Sequence, residues 1–549
     1  MKKLLALLLA LIMVFSLAAC QGGGDDPTTD PGTNPGDPTN PDDPTVDQAA
    51  LEAAKYGGHL DILIESKPAY LDPSKSTGVF NYMWTSLVWE PPLTRDAEGN
   101  IRPNVCDFEL SEDMLTLKLW VREGVTFHDG SAVEIEDVVA SIKRAVHKSP
   151  RSYVAAFIQD VQIENGVATI TFTEYNEKTM YYIACPNAFL GVMPKEIAEE
   201  FSYESGNFIL EIEDAIGTGP YKITDFEPSV FVSFERFEDY TPVEGNYTGF
   251  AGPKKAYLDS ITFTYKADQA SGNMALMNGE YDLSEGVAED FYPQLESVGI
   301  INDAREALNI LRVEFNTCNG SIFATSADMR KAVMAAIDIP ELVEVSMKGR
   351  YTTKAQLCSD TLYQNDDFET ADYMGEDNVT LSKQYQEKAG YNGEVLHMIW
   401  GSGAEDFYTL ICTYLEAAGI AYEVDQVENT TKTERINNPD DEWNLNLDFP
   451  SVNSTPGMMS ATLIDHMYES ETKDTLFAEL GGLLAGTPEY KAKWEELSAL
   501  MVDECAVIPI GTSTLVWSMD PDFNLEFDGY VTYLFNSYWT NPEDHPVKN

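Results

Sequence analysis

Apolar and polar positions divide the chain into a leader, a polar stretch without pattern, and a long patterned body. Residues 4–19, LLALLLALIMVFSLAA, are almost wholly apolar, whereas residues 21–50 hold one large apolar side chain, Val46. Periodicity begins with His59-Leu60-Asp61-Ile62-Leu63-Ile64, a strand that ends at Glu65. Leu115, Leu117 and Leu119 alternate with Thr116, Lys118 and Trp120, the mark of a second strand. Val138, Val139, Ile142 and Val146 then share one helix face. Met329, Ala332, Val333, Ala336 and Ile337 recur at i, i+3, i+4, i+7 and i+8, which predicts another helix, with Ser326 as its N-cap. Pro340 fits the first turn of the helix after it, and Gly349 its end.

The clearest unit runs from Val395 to Asp425. Val395–Ile399 reads as a strand, and Phe407, Leu410, Ile411, Tyr414 and Leu415 line one face of a helix that Gly419 stops. Ile420, Tyr422 and Val424 then alternate with Ala421, Glu423 and Asp425. This is a βαβ unit, so its strands are expected to be parallel with a right-handed crossover. A further strand, Trp443–Leu447, ends at Asp448. In open α/β sheets, ligands bind beyond the carboxyl ends of strands. That rule singles out Glu65 and Ser66, Trp400 to Ser402, and Asp448 to Asn453 as candidate ligand contacts. A tryptophan at a strand end serves core packing as readily as ligand contact, so Trp400 carries both readings.

The leader begins with Lys2 and Lys3 and closes on Leu17-Ala18-Ala19-Cys20. A positive start, an apolar run and small residues form a secretory signal, and the run is short of the roughly 20 residues that span a bilayer. The closing tetrapeptide resembles the lipobox of bacterial lipoproteins. The resemblance implies cleavage before Cys20 and a diacylglycerol on its thiol; a plain signal peptide and an uncut signal anchor are the alternatives. Residues 21–50 contain no Lys or Arg and are rich in Gly, Pro and Asp. They lack the apolar surface to offset ordering entropy and read as a disordered tether.

Composition narrows the function. The 549 residues carry 35 basic and 91 acidic side chains, a formal net charge of −56. Nucleic acid as a partner is nearly excluded, because binding it requires clustered Lys and Arg, and anionic lipid headgroups are disfavoured for the same reason. Cysteines 106, 185, 318, 358, 412 and 505 form no C-x-x-C; most are expected to be reduced and buried. H-E-x-x-H, G-x-S-x-G and P-loop patterns are missing. His128-Asp129 is half a metal site at most, and Gly217-Thr218-Gly219 runs into Pro220 rather than a third glycine. Nothing here demands an enzyme, a metal or a cofactor.

Residues 102–145, RPNVCDFELSEDMLTLKLWVREGVTFHDGSAVEIEDVVASIKRA, resemble the signature region of the family 5 extracellular solute-binding proteins, the oligopeptide and dipeptide type that serve ABC importers. Arg122, Gly124, Val125, Phe127, His128, Asp129 and Gly130 match, followed by Glu136, Asp137 and Val138. As strand, Asp-Gly turn and helix, the block is expected to be structural. Leu71-Asp72-Pro73, Gly217-Thr218-Gly219-Pro220-Tyr221, Gly279-Glu280-Tyr281-Asp282, Met329–Asp338 and Val507–Ile510 resemble further family motifs in the right order.

The resemblance implies an α/β fold of the periplasmic-binding-protein type, in its class II, large three-subdomain variant. Mixed sheets with flanking helices would form two lobes that close on a hinge. Lobe 1 is expected at 51–315, with an extra subdomain at about 96–210, and is completed by 506–549; lobe 2 is expected at 316–505. The signal would occupy 1–19, and the lipidated cysteine and tether 20–50. The implied role is the extracytoplasmic, lipid-anchored component of an ABC importer: a monomer that binds peptide between its lobes, delivers it to a permease and does no chemistry on it.

Peptide-binding members carry an aspartate, in a W-x-x-D-Y-x-D-P-like loop, that pairs with the ligand's α-amino group. Here the loop reads LDFPSVNSTPGMM. Either Asp448 fills that role, or the loop has changed and the ligand with it, toward a sugar, nickel or another metal complex. A secreted hydrolase, with paired carboxylates about 5–10 Å apart, and a ligand-sensing co-receptor complete the alternatives.

Overall fold

The computed structural model describes residues 48–547 except 65, 74–78, 97–99, 149–156, 185–189, 202–207, 210, 246, 286, 288, 348–350, 353–354, 359–362, 365, 402–404, 439–440, 449–455, 457–467 and 528–531. Cys20, Cys185 and Gly349 therefore lie outside the described residues. The chain divides at Ala53/Ala54 into an N-terminal unit and a body that runs to Asn549. In the N-terminal unit, Gln48–Ala53 is helical, so the last three residues of the expected tether, 48–50, are helical.

Ten strands of the body form the path of one large sheet. They are β1 (His59–Ile64), β2 (Tyr221–Glu227), β3 (Phe231–Arg236), β4 (Ser260–Tyr265), β5 (Leu283–Glu285), β6 (Ile301–Phe315), β7 (Leu396–Trp400), β8 (Tyr422–Gln426), β9 (Leu445–Asp448) and β10 (Val507–Met519). Their order is β8-β7-β9-β6-β10-β5-β1-β4-β3-β2, and Tyr351–Thr352 adds a short strand on β10. A separate four-stranded antiparallel sheet holds Cys106–Leu110, Thr116–Val121, Val167–Phe172 and Ile158–Glu164.

β6 and β10 are the long members, at 15 and 13 residues. They pair antiparallel from Ile301↔Met519 to Glu314↔Val507, with register slips between Glu306 and Ile310 and between Leu311 and Arg312. The first half of this pair borders β5 and β1, and the second half borders β9 and β7. Separate hydrophobic cores lie along it. One contains Leu60, Ile62, Trp84, Phe234, Phe263 and Trp539, another Leu311, Val313, Met334, Leu396, Tyr408 and Ile508. A third, around Leu117, Leu119, Phe127, Val138 and Ile170, packs the four-stranded sheet against α2 (Ile135–Lys148).

The expected elements form where their periodicity placed them. Ser326 accepts a hydrogen bond from Met329 N at 3.2 Å and caps α4 (Ala327–Ala336), and Pro340 lies in the first turn of Ile339–Met347. The βαβ unit is β7, α5 (Glu405–Ala418) and β8, with Gly419 at φ +74° behind the helix and the two strands parallel. The strand placed at Trp443–Leu447 begins at Leu445 instead. Trp443 packs with Ile399 and Ile436, and the Asn444 backbone bonds outside the ladder, its N–H to His397 O at 2.7 Å and its O to Asn316 N at 3.0 Å. Of the cysteines, 106, 358 and 505 are buried and 318 and 412 half-buried.

The motifs that carry the family resemblance hold the body together. The last turn of α1 (Val79–Val88) runs hard against Gly217-Thr218-Gly219: a Cβ on Gly217 would lie 2.0 Å from Val88 O, and one on Gly219 2.3 Å from Leu87 O. His128 clasps the same segment. Its Nε2 meets Gly219 O at 3.0 Å and its Nδ1 accepts from Gly217 N at 3.4 Å. The donor is thus Nε2–H of a neutral ring, and burial pushes the pKa down to about 4. Asp72 pairs with Arg144 of α2 (Ile135–Lys148) at 2.6 Å, both side chains being almost wholly buried. Asp137, also on α2, accepts from Glu134 N and Lys195 N, both at 2.8 Å.

Candidate ligand-binding site

Strand directions decide where the candidate residues meet. β9 runs antiparallel to β6, with Asp448 opposite Arg312, and β7 runs parallel to β9. β1 is parallel to β5, β5 antiparallel to β10, and β10 antiparallel to β6. β1 therefore points the same way as β6, and β7 and β9 point the opposite way. They border opposite halves of the crossover pair, so all three carboxyl ends face its middle, where the register slips. Through Ser284 and Ser518, Leu63 lies level with Asn302, while Asp448 lies level with Arg312. Ten residue steps separate these levels, a contour of about 33 Å at ~3.3 Å each. The ends thus look toward one another along the crossover rather than touch.

Ser66, in a bend just past β1, is half-buried. Glu65, Ser402 and Asn453 lie outside the described residues.

Trp400 closes β7 and is half-buried. Its ring lies 4.2 Å from that of Tyr408, tilted by 48°. The Tyr408 hydroxyl donates to Ile399 O at 2.9 Å and accepts from Leu447 N at 3.1 Å. Burial raises its pKa above the phenolic range, so the hydroxyl stays protonated. Trp400 Nε1 is buried and has no hydrogen-bond partner among the described residues. The register Met398↔Leu445 and Ile399↔Asn446 puts Trp400 on the face of Leu445 and Leu447, and Asp448 on the other face, with Asn446. The two residues share an end of the sheet but not a side of it.

On the Asp448 face the strands carry charge. Arg312 and Glu314 of β6 stand opposite Asp448 and Asn446 of β9. Arg312 is fully buried and donates to Asp448 Oδ2 at 3.1 Å; its guanidinium also grips the Glu314 carboxylate. Asn446 Nδ2 donates to Glu314 Oε2 at 2.7 Å. Lys432, on α6 (Asn429–Ile436), donates to Leu447 O at 2.7 Å. Burial lowers its pKa, and the Asp448 and Glu314 carboxylates oppose that shift. Asp448 is the outlet of the group, with a third of its side chain, 32%, exposed.

Sequence reading found Asp448 and missed Arg312, Glu314, Lys432 and Tyr408. The signal was the run ILRVEF, where polar residues alternate with apolar ones; such a pattern ordinarily marks a wet face.

The profile of bacterial extracellular solute-binding proteins, family 5 Middle, matches residues 100–465. A probable peptide ABC transporter periplasmic-binding protein of Sinorhizobium fredii is 24% identical over 344 residues, which are 59% of this chain and 61% of that protein. The chain thus spans about six-tenths of the length of that curated relative. Among solved structures, the ABC transporter substrate-binding protein CtaP of Listeria monocytogenes superposes with a TM-score of 0.72 at 20% identity, covering 88% of this chain and 100% of that one. A periplasmic EDTA-binding protein, EppA, gives 0.72 at 19% identity, over 88% and 97%. The architecture is that of periplasmic binding proteins, mixed α/β with several sheets and flanking helices.

Proposed function

The chain belongs to the bacterial extracellular solute-binding proteins of family 5, and from that premise we propose that it is the extracytoplasmic component of an ABC importer. It binds a peptide between two lobes, 51–315 with 506–549 and 316–505, and presents it to a membrane permease. It does no chemistry on the ligand. One observation carries the reading: the carboxyl ends of β1, β7 and β9 all face the middle of the two long crossover strands. That is where an α/β sheet offers its ligand crevice, and two long strands are the connection that lets lobes close on a hinge. The ligand contacts on this reading are Glu65, Ser66, Trp400, Ser402, Asp448 and Asn453. Backbone groups supply hydrogen bonds indifferent to peptide sequence, and side pockets admit varied side chains.

Cys20 is the anchor: a diacylglycerol on its thiol holds the chain to the outer face of the cytoplasmic membrane, and residues 21–50 let the body stand clear of it. Lipidation at one residue with more than one chain suits stable anchoring, since each buried CH₂ adds about 0.8 kcal/mol. Cys20→Ser is expected to release the protein from membranes; a variant that stays bound with an intact N-terminus makes residues 4–19 a signal anchor. Native mass spectrometry of protein purified from its own host tests the ligand. A retained peptide mass supports the proposal, and a sugar or metal complex redirects it.

A further inference from the structure

Among the described residues, four charges gather at the end of β9, and they sum to zero. Arg312 and Lys432 are cationic, Glu314 and Asp448 anionic; Arg312 is fully buried, Glu314 is 1% exposed, and Lys432 and Asp448 are half-buried. Arg312 donates to Asp448 Oδ2, and no hydrogen bond from a described residue reaches Oδ1. An ammonium group arriving at Asp448 therefore meets a carboxylate whose charge, together with that of Glu314, is already balanced by the Arg312 guanidinium and by a second cation on the neighbouring helix. Between like charges in a partly desolvated site that repulsion is far stronger than in water. A neutral N–H pays no such penalty and still finds Oδ1 as an acceptor.

We propose that Arg312 and Lys432 set the end-group specificity of this cleft, turning Asp448 into an acceptor for uncharged N–H donors, such as a blocked peptide N-terminus or an amide, in preference to a free ammonium. The inference rests on the reading of Asp448 as a ligand contact in a peptide-binding cleft. It changes what the aspartate selects. In peptide-binding members of the family a loop aspartate pairs with the α-amino group; here β6 answers the charge of Asp448 from within.

The test is calorimetry on the full-length chain with short peptides, each as free amine and as N-acetyl form. Wild type is expected to bind the acetylated forms at least as tightly as the free amines. Lys432→Met leaves the local sum at −1 and is expected to shift the ratio about fivefold or more toward the free amine. Glu314→Gln leaves it at +1 and shifts the ratio the other way. Opposite shifts from two substitutions in one cluster are not what general damage to the fold produces. A wild-type preference of tenfold or more for the free amine, or ratios that neither variant moves, overturns the inference. If wild type binds no peptide in either form, the peptide reading fails by itself. The inference is then judged by thermal shift with hexylammonium against N-hexylacetamide, where stabilisation by the ammonium alone, or by neither probe, overturns it.

Discussion

The clasp of His128 on the Gly217–Gly219 segment makes stability depend on pH in a defined window. Both ring nitrogens are committed: Nε2–H donates to Gly219 O, and Nδ1 accepts from Gly217 N–H. A second proton on Nδ1 would turn that acceptor into a donor facing a donor. Burial accordingly pushes the folded pKa down to about 4 from an ordinary 6.5. The unfolded chain takes up the proton near pH 6.5 and the folded one only near pH 4. Stability from the neutral ring is therefore fully present above pH 6.5, is lost as pH falls toward 4, and changes no further below that. A gap of 2.5 pKa units at 1.36 kcal/mol each is about 3 kcal/mol at most, and less to the extent that the half-buried ring keeps some water.

The perturbation that isolates this effect is His128→Gln, which keeps a donor and an acceptor and removes the titration. Urea unfolding followed by tryptophan fluorescence, at steps from pH 7.5 to 4.5, compares the two proteins. Their stability difference should change by about 2–3 kcal/mol in favour of the variant as pH falls across that range. The imidazole proton resonance that disappears in the variant should titrate near pH 4 in the wild type. Parallel stability curves, or a His128 resonance titrating near 6.5, would refute the account of the clasp.

Other contacts give further expectations. Gly219→Ala puts a methyl 2.3 Å from a backbone oxygen, which cannot swing aside as a side chain can, and should cost roughly 3 kcal/mol or more; a melting temperature within a degree or two of wild type contradicts this. Arg144→Met leaves the buried Asp72 carboxylate without its 2.6 Å partner and should cost about 3–5 kcal/mol in denaturant unfolding, part of which Arg144→Met with Asp72→Asn restores. Tyr490 of α7 (Pro488–Glu504) donates to Glu177 at 2.6 Å, across 313 residues and between two hydrophobic cores, with both residues fully buried. Tyr490→Phe should cost about 1–3 kcal/mol and raise amide exchange in α7; unchanged exchange there would show that the bond does not hold the two cores together.

Elements with one apolar and one wet side were legible in the sequence, because their period is visible without neighbours. β1, α4 and the β7–α5–β8 unit are of this kind, and so is the signature block, whose Leu117 and Leu119 are buried in alternation with half-buried Thr116 and Lys118. The motifs were legible as family marks but not as parts. Nothing in Leu-Asp-Pro announces that its aspartate will meet an arginine 72 residues on. Pro220 already spoke against a phosphate cradle at Gly217-Thr218-Gly219, but only the carbonyls of α1 supply the reason for both glycines.

The candidate site was half legible for a related reason. Chain order and the strand-end rule suffice to bring Trp400 and Asp448 to one end of the sheet. Which side each occupies depends on register between strands, and the pairing of Met398 with Leu445 is not written in either segment. The charged face is harder still. In ILRVEF and LNLD, alternation alone assigns Arg312, Glu314 and Asn446 to water, yet their side chains are buried. A polar face is spared from solvent only if a facing strand returns polar partners at the same spacing, two residues apart on each. That condition joins residues 312 and 314 to residues 446 and 448, and it is a property of the pair. The end-group preference proposed above follows from the same pairing: the carboxylate that sequence order offers to a ligand is the one that the neighbouring strand has already answered.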